Sequence, residues 1–357
     1  MRKRKTEISM FNVMLAMAVI LIHLMSAPKT SLPPEVPLYK AFMFASRLCA
    51  FVVQAFIFLS GMKTFLGGRE EPYGKFLLKR LRTVVLPYAA AVMIYYLYFV
   101  YIEKYFPFSI GDYAGYLVRG DLAAHFYFVV VIIQFYLLYP VWKAAAKRLK
   151  PAAVLGAAAL INIVLGAYSY YWLDKLFNGY VFTFGDRLFT TYILYWVGGM
   201  YAGIYYDRFT AFITRHRLLL GAAYVVIAVI DNGALYMQQF RGMAPLHLDM
   251  LHLLYCSAAI LFWMSVMTAV KDKKIFGLRA ADRSSYKVYL FHILFIFLLD
   301  EFVTPVIADK TGLTSTTLTF CLRACMTYGL CFALIFADNL PRLIKERRSG
   351  NITGISA

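Results

Sequence analysis

A single histidine, His23, lies in the apolar stretch AVILIHLMS at residues 18–26. A polar ring in hydrocarbon is costly, so an ionisable side chain inside a membrane span is a candidate for function. Asn12 precedes it by eleven residues, which is about three helical turns, so the two side chains share one helix face about 16 Å apart. A neutral imidazole can take a proton from an attacking hydroxyl near pH 7. The residues leave two interpretations open: a catalytic base, or a ring hydrogen-bonded to a neighbouring helix.

A basic cluster, Lys79, Arg80 and Arg82, precedes another apolar run within YGKFLLKRLRTVVLPY, residues 73–88. Lys and Arg at the cytoplasmic end of a span often act only as anchors for its orientation. They also suit phosphate, which Arg binds with a planar fork of donors. The cluster is therefore either a membrane anchor or the binding site of an anionic, nucleotide-bearing cofactor, and charge alone favours the anchor.

Two further stretches carry polar groups within apolar surroundings. HFYFVVVIIQFYLLYPV, residues 125–141, contains His125, Gln134 and Tyr136, and SSYKVYLFHILFI, residues 284–296, contains His292. Each histidine taken alone fits a packing residue with a satisfied hydrogen bond as well as a substrate contact.

No metal site or disulfide is expected. His247, Asp249 and His252 form the set HLDMLH, but their spacing matches no defined metal site, and solvation at the membrane interface is favoured. The five cysteines all fall in apolar segments, where a thiol usually behaves as a small hydrophobe.

The surrounding elements must be membrane helices. Of the 357 residues, 61% are hydrophobic and 16% charged, and the mean hydropathy is +0.64, whereas a soluble domain carries about 25% charged residues. A span needs about 20 mostly apolar residues, which predicts an all-α, polytopic membrane protein with about ten transmembrane helices. The predicted spans are 10–27, 40–62, 83–103, 125–142, 152–172, 188–206, 218–238, 250–270, 287–305 and 317–338.

The net charge of +18 has a membrane explanation. With the N-terminus inside, 27 of the 37 Lys and Arg fall in cytoplasmic segments and eight in outer loops, which places both termini in the cytoplasm. A nucleic-acid-binding function is excluded because there is no soluble basic domain to carry it. The N-terminal MRKRK and apolar run also resemble a signal peptide, but no A-x-A cleavage site follows, so we expect a multi-pass protein of the cell membrane.

Five features together resemble the integral-membrane acyltransferase 3 family, which includes O-acetyl- and O-succinyltransferases of bacterial surface polysaccharides. They are the first-helix histidine, FxFLSG closing the second helix, YxxFLLKRLRTVVLPY leading into the third, HFYFxxxIIQFYLLYP in the fourth, and SxxxVYLxH in a late helix. No single motif is specific, but their order over residues 7–296 is. The chain looks closest to the branch acting in exopolysaccharide and intercellular-adhesin biosynthesis.

The resemblance implies one integral-membrane acyltransferase domain over residues 1–357. It implies that an acyl-CoA (acetyl or succinyl) donates the acyl group to a hydroxyl of a glycan or lipid-linked sugar, with no bound cofactor or metal. His23 is then the catalytic residue, as a base or through an acyl-histidine intermediate, and Lys79, Arg80 and Arg82 hold the CoA phosphates. The expected substrate-binding residues are Arg47, His125, Tyr136 and His292.

Asn12 departs from the family pattern, which has Arg or Lys eleven residues before the histidine. Asn donates hydrogen bonds without a charge, so Arg47 in the second predicted span is a possible substitute for the missing cation. Two rival functions stay open: a polysaccharide exporter, which should show a continuous polar pathway and often paired repeats, and a receptor or assembly partner without turnover.

Overall fold

The computed structural model describes residues 5–67, 71–167, 184–242, 248–311 and 315–348. Helices make up nearly all of these ranges, and no strand occurs within them. The all-α fold class predicted from the apolar runs is therefore confirmed.

The helices are numbered in chain order. In the first part of the chain they are α1 (Thr6–Leu24), α2 (Ser26–Ser31), α3 (Pro37–Cys49), α4 (Val52–Phe65), α5 (Tyr73–Arg80), α6 (Leu86–Leu97), α7 (Ile110–Arg119), α8 (Tyr127–Leu137), α9 (Tyr139–Arg148) and α10 (Pro151–Ile161). The later ones are α11 (Ile193–Ile204), α12 (Tyr206–Arg215), α13 (Arg217–Arg241), α14 (Leu248–Ala269), α15 (Leu278–Leu298), α16 (Thr304–Thr311) and α17 (Thr316–Arg348). Single π-helical turns join or extend several of them, at Leu81–Val85, Tyr98–Ile102, Asn162–Ala167 and Leu299–Val303.

Seven helices in the described part of the chain are long and apolar enough to cross a membrane. They are Thr6–Ser31, Pro37–Phe65, Tyr73–Ile102, Arg217–Arg241, Leu248–Ala269, Leu278–Ile307 and Thr316–Arg342. An eighth forms if α8 and α9, which bend by 53° at Leu138, are one broken span. The predicted span 188–206 corresponds to the short α11, and the end of the predicted span 152–172 lies outside the described residues.

Contacts divide the chain into two compact units, Met1–Val52 with Trp263–Ala357, and Val53–Phe262. In the first unit α1 packs along α15, and α15 along α17. Phe11, Leu15 and Ile20 of α1 are fully buried. The Tyr328 hydroxyl on α17 also donates to the carbonyl of Met17 at 2.9 Å. These contacts fix α1, which carries His23, against two other helices.

In the second unit α4 and α11 approach closely at glycines. A Cβ on Gly199 would lie 2.0 Å from the Phe58 carbonyl oxygen, and one on Gly61 2.4 Å from that of Trp196. Small residues allow such backbone approach between membrane helices, where packing rather than the hydrophobic effect drives association. The glycine that closes the FxFLSG motif therefore has a packing role.

Candidate active site

His23 and His292 meet between α1 and α15, with ring centroids 5.1 Å apart. His292 is 0% exposed, whereas His23 is only partly buried. The His292 Nδ1 lies 2.7 Å from the Tyr289 carbonyl oxygen and 3.3 Å from that of Val288. Because carbonyl oxygens only accept hydrogen bonds, this nitrogen carries a proton. The ring orientation of His292 is thus set by its own helix, while His23 retains a partly accessible face.

A second polar layer lies between the same two helices, at Asn12. Its side-chain amide donates to Asp282 Oδ1 at 2.8 Å and to Ser285 Oγ at 2.7 Å. Ser9 Oγ donates to the other carboxylate oxygen of Asp282 at 2.6 Å. Asp282 is 3% exposed, and a buried carboxylate needs such donors to offset its lost hydration. The amide of Asn12 therefore serves as a donor to a buried acid on α15.

The two layers show that α1 and α15 run parallel. Asn12 and His23 are eleven residues apart, and their partners Asp282 and His292 are ten apart in the same direction. At about 1.5 Å of rise per residue these spacings are about 16 and 15 Å. Asn12 and His23 thus share the α15-facing side of α1, as their spacing predicts, and a change of register at one layer would displace the other.

Asp282 was missed at the sequence level because it falls in the polar segment before the predicted span 287–305. The helix in fact begins at Leu278, since its polar first turns pack on α1. Ser284, in the SxxxVYLxH motif, donates to Asp338 at 2.6 Å and accepts from Asn339 at 2.9 Å. This serine therefore joins α15 to α17.

Arg47 lies in the last turn of α3 and is partly exposed. It belongs to the same unit as Asn12 and His23. Neighbouring Ser46 accepts a hydrogen bond from Lys29 at 2.8 Å, which ties α3 to α2. The amide of Asn12 donates to Asp282 and Ser285 of α15.

In the second unit the three residues of the basic cluster have different surroundings. The Arg80 guanidinium lies over two rings, 4.9 Å from the Phe76 centroid and 4.5 Å from that of Tyr136, and Nη2 donates to Thr64 at 3.4 Å. Lys79 and Arg82 are exposed, the Lys79 side chain at 60%. Two of the three charges are thus presented outward, and Arg80 is held by aromatic packing.

The polar residues of 125–141 do not act as one group. The Tyr136 hydroxyl shares a 2.9 Å hydrogen bond with Ser60 of the FxFLSG motif. His125 is buried, with its ring 5.8 Å from Tyr95. Gln134 donates to the Arg187 carbonyl at 2.6 Å and so braces a short helical turn. Tyr136 lies beside Arg80, whereas His125 precedes it by eleven residues.

A cluster of three residues was not identified from the sequence. His252 contacts Asp231 and Cys256. His247 of the HLDMLH set lies outside the described residues. Within the described ranges, no group of three or more His, Cys, Asp or Glu side chains is placed to hold a metal ion.

Comparison with known proteins adds the family. A model described as an acyltransferase domain, that of the acyltransferase 3 family, matches residues 8–336. YfiQ of Bacillus subtilis (strain 168), provisionally named a membrane-bound acyltransferase, is 24% identical over 272 residues, which are 70% of this chain and 69% of that protein. No solved structure matches the chain significantly.

The match extends from α1 through most of α17, and so covers the histidine pair and the basic cluster. The chain therefore belongs to the acyltransferase 3 family and is a multi-pass membrane acyltransferase.

Proposed function

We propose that this enzyme moves a short acyl group, acetyl or succinyl, from acyl-CoA to a hydroxyl of a cell-surface or exopolysaccharide glycan, with His23 as the general base. The observation that carries the proposal is the contact of partly accessible His23 with buried His292 between α1 and α15. Neither ring is solvated as a surface histidine would be. Because ionisable side chains within membrane helices are costly, those that are present usually have a function.

The roles of the two histidines differ in the proposal. His23 takes the proton of the acceptor hydroxyl, the oxygen attacks the thioester carbonyl carbon, and the bond to the CoA sulfur breaks. An acyl-histidine intermediate on the same ring is the second route. His292 is fully buried and held by carbonyls of its own helix, so we propose that it positions His23 rather than contacting the glycan.

The donor is proposed to bind through Lys79, Arg80 and Arg82. Lys79, whose Nζ lies 3.9 Å from a carboxylate oxygen of Glu71, and exposed Arg82 supply positive charge for the CoA phosphates. Arg80 is held by two rings and Thr64, so it presents its donors in one orientation. Arg47, Tyr136 and His125 remain proposed contacts of the substrates.

We also propose that the protein lies in the cell membrane with both termini in the cytoplasm. Parallel α1 and α15 require an odd number of crossings between them, and α17 runs antiparallel to α15, because Arg323 pairs with Asp300 while Asp338 pairs with Ser284. Eight spans, counting the bent pair as one, or the ten expected from the sequence meet this requirement, and seven do not. Either count is even and so supports both termini on one side, and the Lys and Arg distribution supports the cytoplasm as that side.

The test uses purified protein in nanodiscs with acetyl-CoA or succinyl-CoA and lipid-linked glycan from the host. Release of the CoA thiol should require the glycan and yield an acyl ester on it. His23→Ala and His23→Gln should lower the rate by about 10²- to 10⁴-fold, the usual worth of a general base. His216→Ala, a histidine at the end of α12 bonded to its own helix, is the matched control and should leave the rate unchanged.

Two outcomes contradict the proposal. A full rate in both His23 variants would remove His23 from the chemistry while leaving the enzyme. Glycan uptake by proteoliposomes without thiol release from either donor would favour the exporter.

A further inference from the structure

Helix α13 buries only two side chains, Ala228 and Asp231. The rest of this 25-residue span is intermediate or exposed, as expected of a helix facing lipid. Asp231 is 0% exposed. A carboxylate buried in a membrane helix is energetically costly, so Asp231 is a candidate functional residue.

The partner of Asp231 is His252 on α14, and His252 in turn contacts Cys256. Asp231 Oδ2 lies 3.2 Å from His252 Nδ1, and His252 Nε2 lies 3.4 Å from the sulfur of Cys256. A carboxylate accepts from Nδ1–H, which leaves the lone pair of Nε2 directed at the thiol. Carboxylate, imidazole and thiol are thus in the order that activates a nucleophilic cysteine.

The surroundings hold this arrangement in place. The His252 ring stacks on Tyr255 at a centroid distance of 5.7 Å and an interplanar angle of 25°. The Tyr195 hydroxyl of α11 donates to the Leu253 carbonyl at 3.4 Å. Cys256 is 0% exposed, and the His252 side chain is 16% exposed. His252 is therefore the member of the cluster that is accessible from outside the protein.

We infer that Cys256 is a nucleophilic thiol that carries the acyl group as a thioester, with His252 as its base and Asp231 as the positioning residue. The inference rests on the proposed acyl-thioester donor. His252 takes the thiol proton, Cys256 sulfur bonds to the acyl carbonyl carbon, the bond to the CoA sulfur breaks, and the proton returns to the departing thiolate. An acceptor hydroxyl then attacks the new thioester, the bond from the acyl carbon to the Cys256 sulfur breaks, and the hydroxyl proton passes to that sulfur, so Cys256 is released as the thiol.

The first experiment needs no acyl donor. The full-length protein in nanodiscs is treated briefly with N-ethylmaleimide, and alkylation is quantified at each cysteine by peptide mass spectrometry. Cys331 of α17 is the internal control because it is also buried, at 2% exposure. Cys256 should react at least about tenfold faster than Cys331, since reactivity follows the thiolate.

Variants separate activation from packing. His252→Gln and Asp231→Asn should each lower the ratio of Cys256 to Cys331 alkylation, and Asp231→Glu should restore part of it. Local loss of packing would expose Cys256 and raise its alkylation relative to that of Cys331, and global unfolding would raise both rates. A wild-type Cys256 no more reactive than Cys331, or a ratio unchanged in His252→Gln, would overturn the inference.

The second experiment uses radiolabelled acetyl-CoA and succinyl-CoA. The label should appear on Cys256 in a form released by neutral hydroxylamine, it should be absent from Cys256→Ala, and Cys331→Ala should label normally. Transfer to glycan should fall by about 10²-fold or more in Cys256→Ala. Full transfer by that variant would refute the thioester and leave the proposed function standing, whereas a labelled Cys256 without transfer to glycan would refute the glycan acceptor and leave the thioester standing.

Discussion

The hydrogen bond from Asn12 to Asp282 gives a quantitative prediction for the packing of α1 on α15. A double-mutant cycle of Asn12→Ala and Asp282→Asn should give a coupling free energy of about 1.5 kcal/mol. Hydrogen bonds to a charged group contribute about 1.5–3 kcal/mol in soluble proteins, and interhelical bonds in a bilayer average about 0.6 and reach about 1.7 kcal/mol. The 2.8 Å distance and the 3% exposure of Asp282 place this pair at the upper end of the membrane range.

The loss of unfolding free energy in each single variant should differ from the coupling free energy. Asn12→Ala leaves a buried carboxylate with one donor fewer, so it should lower the free energy of unfolding by about 2–3 kcal/mol. Asp282→Asn keeps a polar group that can still accept from Ser9, and should cost less. Unfolding is followed by tryptophan fluorescence during titration with denaturing detergent.

A control cycle pairs Asn12→Ala with Asp300→Asn. Asp300 lies in the turn after α15 and pairs with Arg323, eighteen residues beyond Asp282, so these effects should add to within about 0.3–0.5 kcal/mol. A coupling below about 0.5 kcal/mol for the Asn12 and Asp282 pair would refute the hydrogen bond as a stabilising contact.

The same site tests the departure from the family pattern. Asn12→Lys places a cation beside the Asp282 carboxylate, whereas Asn12→Leu supplies no donor. The lysine variant should retain more stability and more acyl transfer than the leucine variant. Equal losses in both would show that Asp282 does not accept a cation at this position.

Two further predictions concern the second unit. Gly199→Ala should lower the free energy of unfolding by about 3 kcal/mol, since its Cβ would lie 2.0 Å from a backbone oxygen. Gly233→Ala, whose Cβ would have nothing within 4 Å, should be neutral in the same unfolding assay, and equal effects of the two variants would contradict the close contact of α4 and α11. Lys79→Gln and Arg82→Gln should raise KM for acyl-CoA several-fold without changing the unfolding temperature. Arg80→Gln should raise KM and also lower the unfolding temperature, because cation–π contacts contribute about 0.5–2 kcal/mol each; an unaltered unfolding temperature would show that the two rings do not hold Arg80.

The sequence was sufficient for features that depend on short stretches. Apolar runs of about 20 residues identified the long helices, and the spacing of Asn12 and His23 on one face follows from helix geometry alone. The motifs identified the family, which the match over residues 8–336 shows. All of these are properties of one helix or of one local pattern.

Partners across helices could not be read in the same way. Ser9 and Asp282 are 273 residues apart, and nothing in either stretch specifies the other. The basic cluster shows the same limit at close range: composition treats Lys79, Arg80 and Arg82 alike, but only tertiary packing places rings beneath Arg80. The side chains that a helix packs against decide which of its charges are available to a ligand.

His252 shows the same difference between neighbours in sequence and partners across helices. His252 was considered with Asp249 and His247 because they are neighbours in sequence, yet its ring bonds to Asp231, 21 residues earlier on another helix. A histidine solvated at the membrane interface would not require a buried acid as its partner. Asp231 is nevertheless one of the two buried residues of α13. The contact of His252 Nδ1 with the Asp231 carboxylate offsets part of its lost hydration, and the other ring nitrogen of His252 lies against the sulfur of Cys256. The contact that helps to offset the burial of Asp231 is thus the same one that underlies the reactivity proposed for Cys256.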